Sequence, residues 1–266
     1  MKYIVDHDYH IHSFASRCSE DPEQSPERIL QYAKDNGLKR LILTDHFWDS
    51  SIPGVNEWYE PQGYENLCRA LPLPKDDQVE FLFGCETDLT RDMVLGISPE
   101  IYDKFAFIIV PTTHLQQEGW TVLPEENTAE DRARLWIDRF DGVLQMDLPF
   151  HKVGIAHLAC PLLAPKEIYF DTLDLISDKE CRRLFTKAAK LGVGIELNLT
   201  DMSVAFRSPD PEKVLRIFRI AKECGCKFYF GSDAHHPSPF ERCVSVFEKA
   251  VETLNLTEDD KFHIGK

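Results

Sequence analysis

The stretch Phe105-Ala106-Phe107-Ile108-Ile109-Val110 is an unbroken apolar run of strand length, and it is followed by Pro111-Thr112-Thr113-His114. A strand that is apolar on both faces is buried on both faces, as in a parallel sheet covered by helices. The same grammar recurs on either side of it. Upstream, Val79–Phe83 reads as a strand ending at Gly84-Cys85-Glu86, and Leu38–Leu43 as one ending at Thr44-Asp45-His46. The opening strand ends at Asp8-Tyr9-His10-Ile11-His12. Downstream, Lys152–Ala156 runs into His157, Val193–Asn198 carries Glu196 and Asn198, and Lys227–Phe230 leads into Gly231-Ser232-Asp233-Ala234-His235-His236.

Helical patterns separate these strands. Pro26–Asn36 has Ser25 placed as an N-cap and Gly37 as a stop. Thr128–Phe140 carries acids in its first turn, Asp178–Leu191 is closed by Gly192, and Pro211–Cys224 and Pro239–Leu254 complete the set. Two long loops, Phe47–Gly63 and Gln116–Asn127, are rich in features that mark functional connections. Strands alternating with helices imply βα units and a parallel sheet, and seven units without a reversal favour a closed or nearly closed barrel.

Composition sets further bounds. The chain has 266 residues, 43% hydrophobic and 28% charged, enough to bury a core as one domain over 1–266. A formal net charge of -15 disfavours long nucleic acid as a partner. The eight cysteines form no C-x-x-C pair and no zinc-finger spacing, so reduced thiols and a cytoplasmic location are expected. No run reaches membrane-spanning length and Met1–Asp6 has no apolar signal core, so no membrane association is expected.

The strand ends are the informative part. Side chains two apart on a strand share a face, so His10 and His12 present two imidazoles together while Ile11 turns into a core. Six of the ten histidines, His10, His12, His46, His114, His157 and His235, sit at strand ends, together with Glu86, Glu196, Asn198 and Asp233. Parallel barrels build their sites at the C-terminal ends of strands, so these groups converge on one mouth. Imidazoles mixed with carboxylates suit divalent transition metals, and their number points to a multinuclear centre.

These same strings, Asp8-Tyr9-His10-Ile11-His12-Ser13, Leu43-Thr44-Asp45-His46, Gly84-Cys85-Glu86, Thr113-His114, Ala156-His157, Ile195-Glu196-Leu197-Asn198 and Gly231-Ser232-Asp233-Ala234-His235, resemble the PHP (polymerase and histidinol phosphatase) family. The histidinol-phosphatase branch is the most similar. The resemblance implies a distorted (β/α)7 TIM-like barrel holding two or three divalent ions (Zn, Mn or Fe) and hydrolysing phosphate esters. By motif, one ion would be held by His10, His12, Glu86 and Asp233, and a second would share Glu86 and add His114 and His157. A third would use His46 and His235 with a ligand from the loop after the first strand. The family commonly has His or Asp six residues after the second histidine of the opening pair. Here Cys18 stands at that position, and Asp21 is the alternative.

The expected function is hydrolysis of a small phosphomonoester, L-histidinol phosphate foremost, by a metal-activated hydroxide without a phospho-enzyme. Asp233, His235 and Arg207 are the candidate catalytic residues. His235 or a water on the third ion would protonate the leaving group, and Arg207, on the loop after the sixth strand, would clamp the phosphate. Asp45 is a candidate orienter for a ligand imidazole. His7, His151, His236 and His263 are left outside the ligand set, and Trp48, Trp58, Tyr59 and Trp120 are candidate walls of the mouth. The alternatives are a nucleotide phosphoesterase or nuclease, and a metal-binding regulatory module without turnover. An amidohydrolase is disfavoured because no lysine ends the fourth strand, where Thr112-Thr113-His114 stands.

Overall fold

A computed structural model describes residues 1–19 and 21–265. Its nine short strands, β1 (His7–Ile11), β2 (Arg40–Leu43), β3 (His46–Phe47), β4 (Glu80–Phe83), β5 (Cys85–Thr87), β6 (Ile108–Pro111), β7 (Val153–Ala156), β8 (Gly194–Asn198) and β9 (Lys227–Gly231), all pair in parallel. They form a three-stranded sheet, β1-β2-β4, and a six-stranded sheet, β3-β5-β6-β7-β8-β9. Two strands expected to be single are therefore split. Thr44-Asp45 separates β2 from β3, and Gly84 separates β4 from β5. At Gly84 a Cβ would lie 2.6 Å from the Phe107 carbonyl oxygen, so only glycine lets the backbones approach there. Backbone bonds still bridge the breaks, with Gly84 N donating to Leu43 O (2.8 Å) and Cys85 N to Phe107 O (3.1 Å).

At the opposite seam, β1 and the end of β9 meet through an isolated Ile11–Ala234 bridge, with Asp233 N donating to His10 O at 2.7 Å. Among the described residues no continuous ladder closes the sheets into one barrel.

The helices follow the expected pattern and add three. α1 (Pro26–Asp35), α2 (Tyr64–Leu67), α3 (Ala129–Val143), α4 (Tyr169–Leu175), α5 (Asp178–Leu191), α6 (Leu199–Arg207), α7 (Glu212–Glu223) and α8 (Cys243–Leu254) run between and after the strands. Ser25 caps α1 by accepting from Arg28 N, and Thr128 and Asp131 form a capping box at the start of α3. Gly192 ends α5 in the left-handed conformation (φ 75°). The expected helix from Pro239 begins later, because Ser238–Glu241 forms a separate short 3-10 turn. The missed α6 matters most: it starts directly at Asn198, whose side chain caps it by accepting from Thr200 N.

The helices pack on the outer faces of the strands in one large buried cluster. A second, smaller cluster of Tyr9, Ile42, Phe107, Ile109, Ala156, Tyr229 and Phe262 brings together residues from β1, β2, β6, β7 and β9. In β1 the register places Asp8 opposite Leu41 and Ile11 opposite Leu43, three residues against two. One extra residue is a β-bulge, a device that re-aims side chains. No helix among the described residues is long and apolar enough to cross a membrane.

Candidate metal centre

Glu86 lies at the centre of the strand-end cluster and is almost completely buried (1% exposed). Its Oε2 is 2.9 Å from His46 Nδ1 and 3.4 Å from both His10 Nε2 and His12 Nε2. Its Oε1 is 3.1 Å from His157 Nε2 and 3.9 Å from His114 Nε2. Asp233 adds a carboxylate oxygen 3.2 Å from His12 Nε2 and 3.5 Å from His10 Nε2. His235 stacks on His12 with ring centroids 4.2 Å apart. The strand ends thus bring together His10, His12, His46, Glu86, His114, His157, Asp233 and His235.

The outer nitrogen of most of these rings is already committed. His10 Nδ1 donates to the Glu196 carboxylate (2.7 Å) and His114 Nδ1 to that of Asp88 (2.8 Å). His235 Nδ1 donates to the Asp233 carbonyl (2.8 Å). Thr113 gives its hydroxyl proton to His157 O (2.8 Å) and so accepts from His157 Nδ1 (3.2 Å). Ser16 gives its proton to Asp45 (2.7 Å), and its oxygen accepts from His12 Nδ1 (2.9 Å) and His46 N (3.0 Å). Each outer nitrogen must therefore carry its ring's proton, which leaves Nε2 as a bare lone pair facing inward. His46 differs, since its Nδ1 is the atom facing Glu86.

That arrangement is a test of whether a cation fits. The lone pairs of His10 Nε2 and His12 Nε2 face each other at 3.1 Å, and Glu86 Oε2 is buried with no hydrogen-bond donor. Lone pairs and carboxylate oxygens packed this way repel one another unless a positive charge lies among them. Four triads have ligand atoms within 4.8 Å of one another: His12–His46–His235, His10–His12–Glu86, His10–His157–Asp233 and Glu86–His114–His157. The residues present therefore suit divalent metal ions.

The titration behaviour follows from the same crowding. Burial alone would raise the Glu86 carboxyl, but the imidazoles of His46 and His10 outweigh it and hold it well below the usual range. Burial likewise opposes ionisation of Asp233, which His10 and His12 overcome. Burial and the neighbouring His12 push the His235 imidazole down to about 3. Mutual shifts of this kind are typical of functional clusters.

Glu196 is the hidden organiser. Besides holding His10, its second oxygen accepts from His157 N (2.7 Å) and from Asn198 Nδ2 (3.2 Å). Asp88, Ser16 and Thr113 were not singled out from sequence. Asp88 had one readable signal, since it lies two residues after Glu86, the spacing that puts two side chains on one side of an extended chain. Asp45 acts as an orienter, through Ser16 rather than on His46's ring.

Three expected site residues stand outside the triads. Cys18 lines the cavity over the cluster but belongs to none of the triads. The Asp21 carboxylate accepts from Glu23 N (2.9 Å) and shapes a local turn. Arg207 is not on a loop: it ends α6, is exposed, and lies outside the cavity lining. That cavity, about 390 Å³, is walled by Trp58, Tyr59, Gln116, Gln117 and Leu162 above the histidines and carboxylates. Among the described residues its lining includes no lysine or arginine. Trp48 and Trp120 stand behind Tyr59, with ring centroids 6.1 and 5.1 Å away. The excluded His7 lies below the cluster, donating to Asp6 (2.9 Å) and accepting from Phe230 N (3.2 Å).

A histidinol phosphate phosphatase from Lactococcus lactis, solved with zinc, L-histidinol and phosphate, superposes with a TM-score of 0.66 at 17% identity over 98% of this chain and 100% of its own. The chain shares its fold. A candidate histidinol phosphatase from Listeria monocytogenes superposes equally well (TM-score 0.66, 15% identity), covering 91% of this chain and 99% of its own. No family model matches the sequence. No curated protein matches it either.

Proposed function

We propose that this protein is a metal-dependent phosphomonoesterase acting on a small substrate, with L-histidinol phosphate the leading candidate. The observation that carries the reading is the buried Glu86 carboxylate, ringed by imidazoles most of whose outer nitrogens are already tied, in a fold shared with a zinc-binding histidinol phosphate phosphatase. We further propose one domain over 1–266, with the two sheets acting as a single distorted (β/α)7 barrel, and a cytoplasmic location.

Two or three divalent ions (Zn, Mn or Fe) would, when bound, neutralise phosphoryl oxygens and make a water acidic enough to attack phosphorus. His10, His12, Glu86 and Asp233 would hold the first, and His114 and His157 with Glu86 the second. His12, His46 and His235 form a third triad. Cys18 is favoured over Asp21 as its further ligand, because Cys18 lines the same cavity while the Asp21 carboxylate is spent on a turn. Without lysine or arginine among the described residues of the lining, those side chains offer no cationic grip on a phosphate. That also weighs against a polyanion such as nucleic acid. Trp58 and Leu162 supply apolar area for the organic half, and Gln116 and Gln117 supply amides.

Elemental analysis paired with phosphate release from a panel that includes L-histidinol phosphate, mononucleotides and phosphotyrosine tests the reading. Metal retention with release from small monoesters is expected. Metal-loaded protein that releases no phosphate from any of them would reduce it to a binding module, and a chain that retains no metal would end the reading.

A further inference from the structure

His157 is the one imidazole of the cluster whose own backbone lies in the left-handed region (φ 34°). A side-chain-bearing residue stays there only when its surroundings hold it. The short loop it starts is held almost atom by atom. His157 N donates to Glu196, and His157 O accepts from Thr113 (2.8 Å) and Cys160 N (3.1 Å). Leu158 O accepts from Trp136 Nε1 of α3 at 2.8 Å. Ala159 N donates to Asp201 Oδ2 of α6 at 3.1 Å, and Ala159 O accepts from the Tyr169 hydroxyl of α4. Three helices thus each send one side chain inward to one loop.

Asp201 is the telling member. It is fully buried, and its other oxygen has no hydrogen-bond partner. A buried carboxylate with an idle oxygen is a cost, offset here by a single acceptor contact to the loop. We infer that Asp201, with Tyr169 and Trp136, is a positioning set that holds His157 so that its Nε2 meets Glu86 and His114, and that metal retention by that triad depends on it. None of the three belongs to a metal triad or lines the cavity.

The inference rests on the metal reading of the cluster and is tested on the binding step, without substrate. Zn²⁺ or Co²⁺ affinity is measured by chelator competition on full-length protein for wild type, Asp201→Leu, Asp201→Asn, Tyr169→Phe and His157→Ala. Melting of the metal-free forms is recorded alongside. Loss of a partner that orients a ligand weakens affinity by about 10- to 100-fold, and this is expected for Asp201→Leu, in the direction of His157→Ala and with a changed Co²⁺ spectrum. Asp201→Asn keeps an acceptor oxygen for Ala159 N and is expected within about threefold of wild type.

A merely structural Asp201 would lower the metal-free melting temperature and leave affinity and spectrum alone, which overturns the inference. Asp201→Asn as weak as Asp201→Leu overturns it too, because the contact would then not be what matters. If Asp201→Leu fails to fold, Tyr169→Phe decides: affinity weakened about tenfold supports the positioning role, and unchanged affinity refutes it. Wild-type protein that binds no metal would fail the metal reading itself, a different result from metal-loaded wild type with indifferent variants.

Discussion

Replacing Glu196 with glutamine changes one oxygen for one amide group and should still dismantle half of the metal centre. The wild-type Oε2 accepts two donors, His157 N at 2.7 Å and Asn198 Nδ2 at 3.2 Å. The glutamine carbonyl must therefore occupy that side, which turns its NH₂ towards His10 Nδ1, 2.7 Å away in the wild type. Two donors cannot face each other, so His10 shifts its proton to Nε2, the atom that faces Glu86 and His12. A charge-assisted hydrogen bond of about 1.5–3 kcal/mol is lost from the ligand-competent tautomer, equivalent to roughly 10- to 150-fold in metal affinity. The metal-free protein should respond in the opposite sense. His10 Nε2–H would donate to His12 Nε2, 3.1 Å away, relieving a lone-pair conflict. Chelator-competition titration and paired melting curves read both effects. Metal affinity within threefold of wild type, or a metal-free form destabilised as much as the loaded one, would refute the tautomer argument.

Gly231→Ala places a Cβ 1.9 Å from Glu196 Oε1 and 2.5 Å from His10 Cβ; overpacking of this kind costs about 1–3 kcal/mol, and metal content after purification should fall with the melting temperature. Stripping metal with a chelator removes about 2.7 kcal/mol per ion held at a hundredfold over its Kd. At roughly 2–4 °C per kcal/mol for a chain this size, calorimetry should show the melting temperature falling by about 5–10 °C per ion. Cys18→Ser should leave the ions of the Glu86 triads in place and lower only the remaining metal content, as read by elemental analysis. For Asp6, burial raises the carboxyl but His7 and Lys261 outweigh it and bring it from 3.8 to about 2. Its folded value lies below its unfolded one, so its contribution is present above about pH 4 and lost as pH falls through 2. The full shift corresponds to about 2.4 kcal/mol, discounted to about 1 kcal/mol because the side chain is 34% exposed. Chemical denaturation of Asp6→Asn should show that deficit at pH 6 and none below pH 2.

Much of this was legible because each strand announces itself twice, by an apolar run and by a ligand at its end. Ile108–Pro111, followed by His114, and Val153–Ala156, followed by His157, show this well. Strand breaks were not legible, because Gly84 interrupts a ladder only through the proximity of Phe107, which is distant in sequence. The bulge in β1 was hidden for the same reason, being a relation between two strands. Of the site, the inward-facing groups carry residue types that advertise metal chemistry. Their supports do not: Ser16, Thr113 and Asp201 are ordinary residues whose roles depend on which loop each happens to face. Arg207 misled because α6 was missed, and a guanidinium expected near the mouth stands at the far end of a helix.

The seam between β1 and β9 has a consequence for biogenesis. His10 and Asp233, which meet there, are separated by most of the polypeptide, and the triads draw on strands from the first to the last. A ribosome-bound fragment lacking the last strand would carry imidazoles on β1 with no carboxylate partner from Asp233 and no Ile11–Ala234 bridge to fix them. Contacts of such long sequence separation form late in folding. Metal acquisition would then wait for synthesis of the β9 segment, and scarcity of the ion would be felt as a chain left with β1 and β9 unstapled.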